Sequence, residues 1–248
     1  GVSMDAAPLH NDLTFVAEYF VVKRPIVSEN EPITLVGGAP VDAGLLAEGL
    51  SLAPKTVAAD GGAKTLFDHG HRPLAVIGDL DSLAPDLQAQ VPTGRLHRIA
   101  EQDSTDFEKC LSRIEAPLVV GLGFLGGRID HQMAVQSVLV RYAHQRCLLI
   151  GMQDLICVVP PQFALDLPVG TRVSLFPMAA TKIASQGLHW PTDGVEFCPN
   201  GQIGTSNRCS GKLVLAPENR SMLLILPRKF AQLVATALQR APKWSVPR

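Results

Sequence analysis

The chain has 248 residues, of which 46% are hydrophobic and 18% are charged, as in an ordinary globular protein. The formal net charge is −1 and no run of five basic residues occurs, so charge gives no support for a nucleic-acid or membrane-surface partner. The apolar stretches reach roughly half the length of a membrane span. The N-terminal residues lack the pattern of a secretory signal. The five cysteines are scattered without a CxxC pair, which argues against a zinc site or disulfide framework and favours a cytoplasmic protein.

The first part of the chain has the pattern of an α/β protein. Residues 1–30 show no clear pattern and are expected to be an N-terminal extension. In residues 31–154, β-rich runs alternate with helical stretches, which predicts a mostly parallel sheet with flanking helices. Several runs are apolar throughout, as expected for strands that are buried on both faces. The predicted strands cover residues 33–36, 56–59, 74–77, 117–120 and 147–150, and the predicted helices cover 42–50, 62–69, 104–114 and 130–145.

The pattern changes after residue 154. Residues 155–228 contain short β-rich runs that are separated by Gly, Pro and Asn, without a strong helical period. This predicts a smaller antiparallel β-sandwich domain. Residues 229–248 are expected to form a C-terminal helix and tail. The predicted strands of the second domain cover residues 155–159, 172–176, 212–215 and 222–226.

Glycine and aspartate follow the predicted parallel strands. Asp60-Gly61-Gly62 follows the second run, and Gly78-Asp79-Leu80-Asp81-Ser82 follows the third. Ligands of open α/β sheets bind beyond the carboxyl ends of the strands, where glycine N–H groups approach phosphates and carboxylates hold Mg²⁺. Helix capping is the alternative interpretation of Asp79 or Asp81 alone. Two carboxylates this close repel each other unless a cation or proton lies between them, so the pair favours metal or phosphate chemistry.

A later segment adds two more carboxylates to the same edge. Asp103 is expected to cap a helix and Asp106 to lie in the first turn of that helix. Glu108 is expected to face solvent.

The stretch from Gly121 to Gly126 matches GxGxxG, but the acidic residue expected about 20 positions later is missing, so NAD binding is not favoured. Arg128 can pair with a phosphate in a bidentate manner. Asp130 can orient Arg128 or serve a metal, and His131 is either a phosphate-site residue or an ordinary helix-start residue.

Two other classes are not favoured. The chain has no GxxxxGK[ST] motif, which argues against a P-loop kinase. Asp79-Leu80-Asp81-Ser82 superficially resembles the nucleophile motif of haloacid-dehalogenase-type phosphatases. That family places its motif after the first strand, whereas here it follows the third.

Several segments together resemble the thiamin pyrophosphokinase family. They are Asp60-Gly61-Gly62-Ala63, Gly78-Asp79-Leu80-Asp81-Ser82, Gln102-Asp103-Ser104-Thr105-Asp106, Gly126-Gly127-Arg128-Ile129-Asp130-His131, Gly187-Leu188-His189-Trp190-Pro191 and Gly204-Thr205-Ser206-Asn207. The resemblance covers nearly everything from residue 33 to residue 227. It implies an α/β nucleotide-binding domain followed by a β-sandwich, a homodimer with active sites between subunits, and transfer of diphosphate from Mg²⁺-ATP to thiamin with release of AMP. The charge pattern favours neither a nucleic-acid nor a membrane partner.

The resemblance also implies roles for individual residues. The general base stays open between Asp106, the first choice, and Asp79. The implied catalytic residues are Asp79, Asp81, Asp106 and Arg128, and the implied Mg²⁺ ligands are Asp79, Asp81, Asp103 and Asp106. The implied ATP-binding residues are Asp60, Gly61, Gly62, Asp79, Asp81, Ser82, Arg128, Asp130 and His131. The implied thiamin-binding residues are Gln102, Asp103, Thr105, Trp190, Ser206 and Asn207.

Two alternative functions stay open. A diphosphokinase for another hydroxymethyl acceptor, such as a pterin, would keep the acidic edge but not the C-terminal ligand residues. A non-catalytic sensor of thiamin or nucleotide would be expected to lose several edge acids, and all of them are present here. For Trp190 itself, packing in the core or at a dimer interface is the alternative to ligand binding.

Overall fold

The structure, a computed structural model, describes residues 23–246, so most of the predicted N-terminal extension lies outside the described residues. Six strands pair in parallel and form one half of the main sheet, and four of them are buried along their whole length. Burial on both faces explains why these runs are apolar rather than alternating. In order across the sheet, the six strands are β8 (Cys147–Ile150), β7 (Val119–Leu122), β2 (Ile33–Val36), β3 (Lys55–Ala59), β4 (Ala75–Gly78) and β5 (Leu96–Arg98).

Helices cover both faces of this parallel half. Leu45 and Leu66, from the first two helices, pack in one apolar core, whereas Phe107 and Leu139, from the last two, pack in a second core. Successive residues of β2 alternate between these cores, because neighbouring side chains of a strand point to opposite faces. The helices are α1 (Ala43–Leu52), α2 (Gly62–Asp68), α3 (Pro85–Gln90), α4 (Asp106–Leu111) and α5 (Ile129–Arg141). Two short strands, β1 (Val27–Ser28) and β6 (Ile114–Glu115), pair with each other outside the main sheet.

The antiparallel half continues the same twelve-stranded sheet, because β9 (Asp154–Val158) pairs directly with β8. The change to antiparallel pairing therefore falls beside the boundary predicted after residue 154. The order then runs through β14 (Met222–Pro227) and β11 (Arg172–Pro177) to the long β13 (Gly204–Pro217). The far end of β13 pairs with the remaining strands, β10 (Phe163–Leu165) and β12 (Ile183–Leu188). Leu213 of β13 and Val173 of β11 share one core.

The α/β class predicted from the sequence is confirmed. The predicted C-terminal helix begins with a 3₁₀ turn at Arg228–Phe230 and continues as α6 (Ala231–Arg240), which packs Val234 and Leu238 into the same core. Among residues 23–246, no helix combines the length and apolar character needed to cross a bilayer.

Two expectations about the 104–114 helix are wrong. Thr105, not Asp103, caps the helix, since its hydroxyl accepts the Glu108 N–H at 3.2 Å. Glu108 does not face solvent: it is 6% exposed and accepts hydrogen bonds from Arg141 at 2.7 Å and Tyr142 at 3.2 Å. These partners lie 33 and 34 residues away, so local helical spacing gives no sign of them.

Candidate active site

A cleft of about 600 Å³ lies at the carboxyl ends of the parallel strands. The chain runs from β2 through β3 and β4 to β5 on one side and then crosses to β7 and β8 on the other. The loops after β2 and β7 flank the point where the strand order reverses, which is where open α/β sheets bind ligands. Gly37 and Gly123 of these loops line the cleft.

Glycine is required where these loops approach each other. A Cβ on Gly37 would lie 2.6 Å from the Phe124 ring, and one on Gly62 would lie 2.0 Å from the carbonyl oxygen of Val36. Gly62 is therefore a close-packing residue at the start of α2. It does not line the cleft, whereas its neighbour Gly61 does.

Asp60 is the most constrained acid of the cleft. It has a φ of 43°, a conformation uncommon for residues other than glycine, and it is only 4% exposed. The Ser82 hydroxyl donates to its Oδ2, but its Oδ1 is buried without a hydrogen-bond partner. Leaving a buried carboxylate oxygen unpaired is costly, so this oxygen is available to a bound cation or donor group.

Lys109 is a member of the site that the sequence analysis missed. Its side chain is 2% exposed, and its Nζ lies 3.8 Å from Asp79 Oδ2 and 3.8 Å from Asp106 Oδ1. A lysine three positions after Asp106 lies on the same helical face as Asp106. This spacing could have indicated that Lys109 belongs to the site. The buried ammonium group holds the two carboxylates near each other and supplies positive charge inside the cleft.

Burial raises the pKa of Asp106, and the nearby carboxylates of Asp60 and Asp79 raise it further. The charges of Lys109 and His131 act in the opposite direction. A carboxylate whose charged form is disfavoured has a stronger tendency to accept a proton, which suits a general base.

Arg128 and Asp130 form a bidentate pair just before and within the first turn of α5. The Arg128 Nη2 donates to Asp130 Oδ2 at 2.6 Å, and Nε donates to Oδ1 at 3.2 Å. The hydrogen bond from Arg128 lowers the pKa of Asp130. Arg128 and His131 line the cleft, whereas Asp130 lies outside its lining and contacts the guanidinium group of Arg128.

The four predicted metal ligands are not all brought together. Asp79 and Asp106 line the cleft. Asp81 is 75% exposed, lies 3.8 Å from Arg98, and lines an adjoining depression with Asp79. Asp103 is exposed and lines neither the cleft nor the adjoining depression.

No three acidic, histidine or cysteine side chains in residues 23–246 converge as a ready-made metal site. Mg²⁺ is commonly held by one or two carboxylates together with substrate phosphates and water. Asp60, Asp79 and Asp106 all line the cleft, so one or two of these carboxylates could contribute to such a partial site.

The predicted acceptor-side residues divide into two groups. Gln102 and Thr105 line the cleft, and Thr105 also caps α4. Trp190, Ser206 and Asn207 do not line the cleft of their own chain.

Asn207 holds the backbone of Trp190. Its Oδ1 accepts the Trp190 N–H at 3.1 Å, and its Nδ2 donates to the Trp190 carbonyl at 2.8 Å. The side chain of Trp190 remains 52% exposed. Ser206 is exposed, with a φ of 62°, and its N–H donates to Ser174 Oγ at 3.0 Å. This arrangement fixes an aromatic side chain at the surface.

The open sheet, the glycine turns at its switch point and the cleft of acids with Lys109 and Arg128 are the arrangement expected of an α/β protein that binds phosphorylated ligands. The family model "Thiamin pyrophosphokinase, catalytic domain" matches residues 46–150. Thiamine pyrophosphokinase 1 of Oryza sativa subsp. japonica is 29% identical, over 61% of this chain and 70% of its own length. Thiamine pyrophosphokinase 1 of Arabidopsis thaliana is 25% identical, over 66% of this chain and 74% of its own.

Solved structures share the fold. The thiamin pyrophosphokinase of Candida albicans superposes with a TM-score of 0.69 at 16% identity, covering 84% of this chain and 95% of its own. The thiamin pyrophosphokinase of Geobacillus thermodenitrificans gives a TM-score of 0.65 at 23% identity, and the match covers 79% of this chain and 96% of that structure's chain. The family model and the relatives indicate the thiamin pyrophosphokinase family, in agreement with the resemblance seen in the sequence, and the solved structures share the fold.

Proposed function

We propose that the protein transfers the diphosphate group of ATP to the hydroxyl group of thiamin, with thiamin diphosphate and AMP as products. The observation that carries this function is the placement of Lys109 between Asp79 and Asp106, in a cleft that is also lined by Asp60 with its unpaired oxygen. Such a cleft combines cation-binding oxygens with a buried positive charge, as phosphoryl transfer requires. The family match supports thiamin as the acceptor.

In the proposed reaction, the thiamin hydroxyl oxygen attacks the β-phosphorus of ATP. The bond from that phosphorus to the oxygen bridging to the α-phosphate breaks, and AMP leaves with the bridging oxygen. Asp106, with its raised pKa, accepts the hydroxyl proton, and Asp79 is the second candidate for this role. Lys109 and Arg128 balance negative charge on the transferred group, and catalysis rests mainly on such positioning and charge neutralisation.

A magnesium ion is part of the proposal. Asp79 and Asp106, with the free Oδ1 of Asp60, would hold it together with phosphate oxygens. When bound, the ion would supply additional charge neutralisation on the phosphates. Asp81 and Asp103 would join this set only through a local rearrangement of their turns.

The proposal gives the two halves of the chain different ligands. Residues 31–154 bind the nucleotide through Asp60, Gly61, Ser82, Arg128 and His131, and residues 155–228 bind thiamin. Trp190 is half-exposed and does not line the cleft of its own chain. We therefore include a homodimer in which Trp190 and Ser206 face the cleft of the partner subunit.

Exposed apolar side chains support such an assembly. Ile129 and Met133 on α5 are 76% and 65% exposed, close in sequence to His131 and Gln132 of the cleft. Exposed apolar residues next to a polar site are common at subunit interfaces. The cysteines among the described residues are unpaired, which is compatible with the proposed cytoplasmic location.

Nucleotide analysis tests the reaction. The purified protein is incubated with Mg²⁺, ATP and thiamin, and we expect AMP and thiamin diphosphate in equal amounts. The Asp79→Asn variant, which removes one carboxylate from the cleft, serves as the inactive control if its circular dichroism spectrum matches that of the wild type. Stoichiometric ADP, or AMP release that is independent of thiamin, would contradict the proposal. Faster AMP release with a hydroxymethyl pterin than with thiamin would favour the alternative acceptor.

A further inference from the structure

A second cavity, of about 390 Å³, lies apart from the candidate active site and shares none of its lining residues. We call it the C-terminal cavity. Its lining consists of residues 23 and 25, residues 112 and 114–116, residues 142, 144 and 145 in the turn after α5, and residues 243, 244 and 246. Its volume falls in the range of small-molecule sites, which is about 300–1,000 Å³.

The cavity has fixed aromatic walls. The indole Nε1 of Trp244 donates to the Val159 carbonyl at 2.9 Å, and the hydroxyl group of Tyr142 donates to Glu108 at 3.2 Å. Ile114 and Ala116 add apolar surface. Aromatic side chains that are anchored in this way offer flat contact area with little loss of rotamer freedom on binding.

Positive charge dominates the polar part of the lining. Lys243 has no ion-pair partner among residues 23–246, whereas Lys23 pairs with Glu101 at 3.4 Å. Glu115 is the acidic residue of the lining, and it accepts a hydrogen bond from Ser28. Because Lys243 is exposed and has no ion-pair partner among residues 23–246, its ammonium group is available to pair with an anionic ligand.

His144 supplies a second polar anchor. Its Nδ1 is buried without a hydrogen-bond partner, although its ring lies only 5.9 Å from the ring of Tyr142. Burial lowers the pKa of His144, and the positive charges of Arg220 and Lys243 lower it further. The neutral imidazole can place its proton on Nδ1 and donate it to a ligand oxygen, which would satisfy this nitrogen.

We propose that the C-terminal cavity binds a small planar organic anion of the aromatic carboxylate class. The ring of the ligand packs against Tyr142 and Trp244. Its carboxylate pairs with Lys243 and accepts a hydrogen bond from His144. The test below measures binding directly, so its outcome does not depend on the proposed enzymatic reaction.

Trp244 provides the readout. The chain has two tryptophans, so Trp190→Phe leaves Trp244 as the only indole. In this background, the fluorescence of Trp244 is titrated with benzoate, nicotinate and quinoline-2-carboxylate. We expect a saturable change with at least one of the three, and at least roughly tenfold weaker binding of benzyl alcohol and acetate, which lack the charge and the ring respectively.

A matched pair of lysine variants locates the site. Lys243→Gln should weaken binding of the aromatic carboxylate by roughly 5- to 10-fold. Lys229→Gln changes an exposed lysine outside the cavity and should leave the affinity for the aromatic carboxylate unchanged. The proposal is overturned if none of the three carboxylates gives a saturable signal. It is equally overturned if benzyl alcohol binds as well as the tightest-binding of the three carboxylates, or if both lysine variants behave alike.

Discussion

At the residue scale, the candidate site contains groups whose arrangement lowers the stability of the folded protein. Asp60 adopts a left-handed conformation, which costs a non-glycine residue roughly 1–2 kcal/mol, and leaves a buried carboxylate oxygen unpaired. Asp106 is partly buried beside two other acids. Strain and like charges of this kind persist at functional sites because the surrounding structure enforces them.

The first prediction concerns Asp106→Asn. Its turnover should fall by about 10²- to 10⁴-fold if Asp106 is the general base. Because the folded state raises the pKa of Asp106, the native protein holds this proton more tightly than the unfolded chain does. The stability that this proton contributes is therefore lost as the pH rises from the usual aspartate pKa through the raised one. Removing the charge should leave the melting temperature at pH 7 equal or higher.

Melting curves at several pH values check this sign. The difference in melting temperature between Asp106→Asn and the wild type should be smallest near pH 4 and should grow towards pH 7. Ser104→Ala is a suitable control, since it changes a neighbouring side chain that is hydrogen-bonded to Glu101 instead of to the acid cluster. A variant that is less stable than the wild type at pH 7 would show that the Lys109 contact outweighs the repulsion.

The second prediction concerns Trp190→Ala. A thiazolium cation over an indole face gains about 0.5–2 kcal/mol, so the apparent KM for thiamin should rise roughly 2- to 30-fold. The KM for ATP and the melting temperature should stay nearly unchanged, because the side chain is half-exposed and lies away from the cleft. Packing at an interface without ligand contact predicts the opposite pattern: a changed oligomer mass and equal effects on both substrates.

At the element scale, the sequence predicts the strongly patterned elements and misses those that depend on tertiary contacts. The strand at residues 147–150 has the predicted bounds, because a fully apolar run is typical of a strand buried on both faces. β5, with three residues, and β6, with two, are too short to show a period. β13 begins at Gly204, eight residues before the predicted run, and the exposed polar residues Thr205, Ser206 and Arg208 conceal its pairing with β11.

The candidate site follows the same rule. Asp60, Asp79 and Arg128 were predictable because they follow strand ends or glycine turns in a recognisable order. The role of Asn207 was not, since its amide groups are bound to the backbone of Trp190, 17 residues away. Sequence spacing indicates which residues reach an edge of the sheet. It does not indicate which of their polar groups are already hydrogen-bonded to other residues of the protein.

The buried contact between α4 and α5 yields the third prediction. Glu108, 6% exposed, links α4 to Arg141 at the end of α5 and to Tyr142. Glu108→Gln removes the charge from this contact and should lower the free energy of unfolding by about 1–3 kcal/mol. Urea denaturation measures this change.

A double-mutant cycle separates the pair from general packing. Arg141→Met removes the cation, and combining it with Glu108→Gln should cost less than the sum of the two single changes, because the second substitution no longer breaks the Glu108–Arg141 pair. Additive effects would mean that the hydrogen bond contributes nothing of its own. Burial and the Glu108 charge also raise the pKa of Tyr142 to about 12, so this value should fall in Glu108→Gln.

At the scale of the whole molecule, one continuous sheet joins the two halves of the chain. The antiparallel strands pair directly onto the parallel ones, and Arg228 donates to Glu48 of α1 at 2.6 Å across the sequence. Trp190 nevertheless does not line the cleft of its own chain. The proposed function therefore places Trp190 at the cleft of a second subunit, and this proposal can be tested without a structure of the dimer.

The last prediction is that two defective proteins restore each other. Asp79→Asn and Trp190→Ala chains, carrying different tags, are co-expressed and assayed at low thiamin concentration. In a two-fold dimer with sites between subunits, each mixed dimer has one site with both defects and one site with neither. Random pairing makes about half of the dimers mixed, so about a quarter of all sites are intact. If each site lies within one chain, the mixture should give only the average of the two pure variants, so activity clearly above that average would establish that Asp79 and Trp190 act across the subunit boundary.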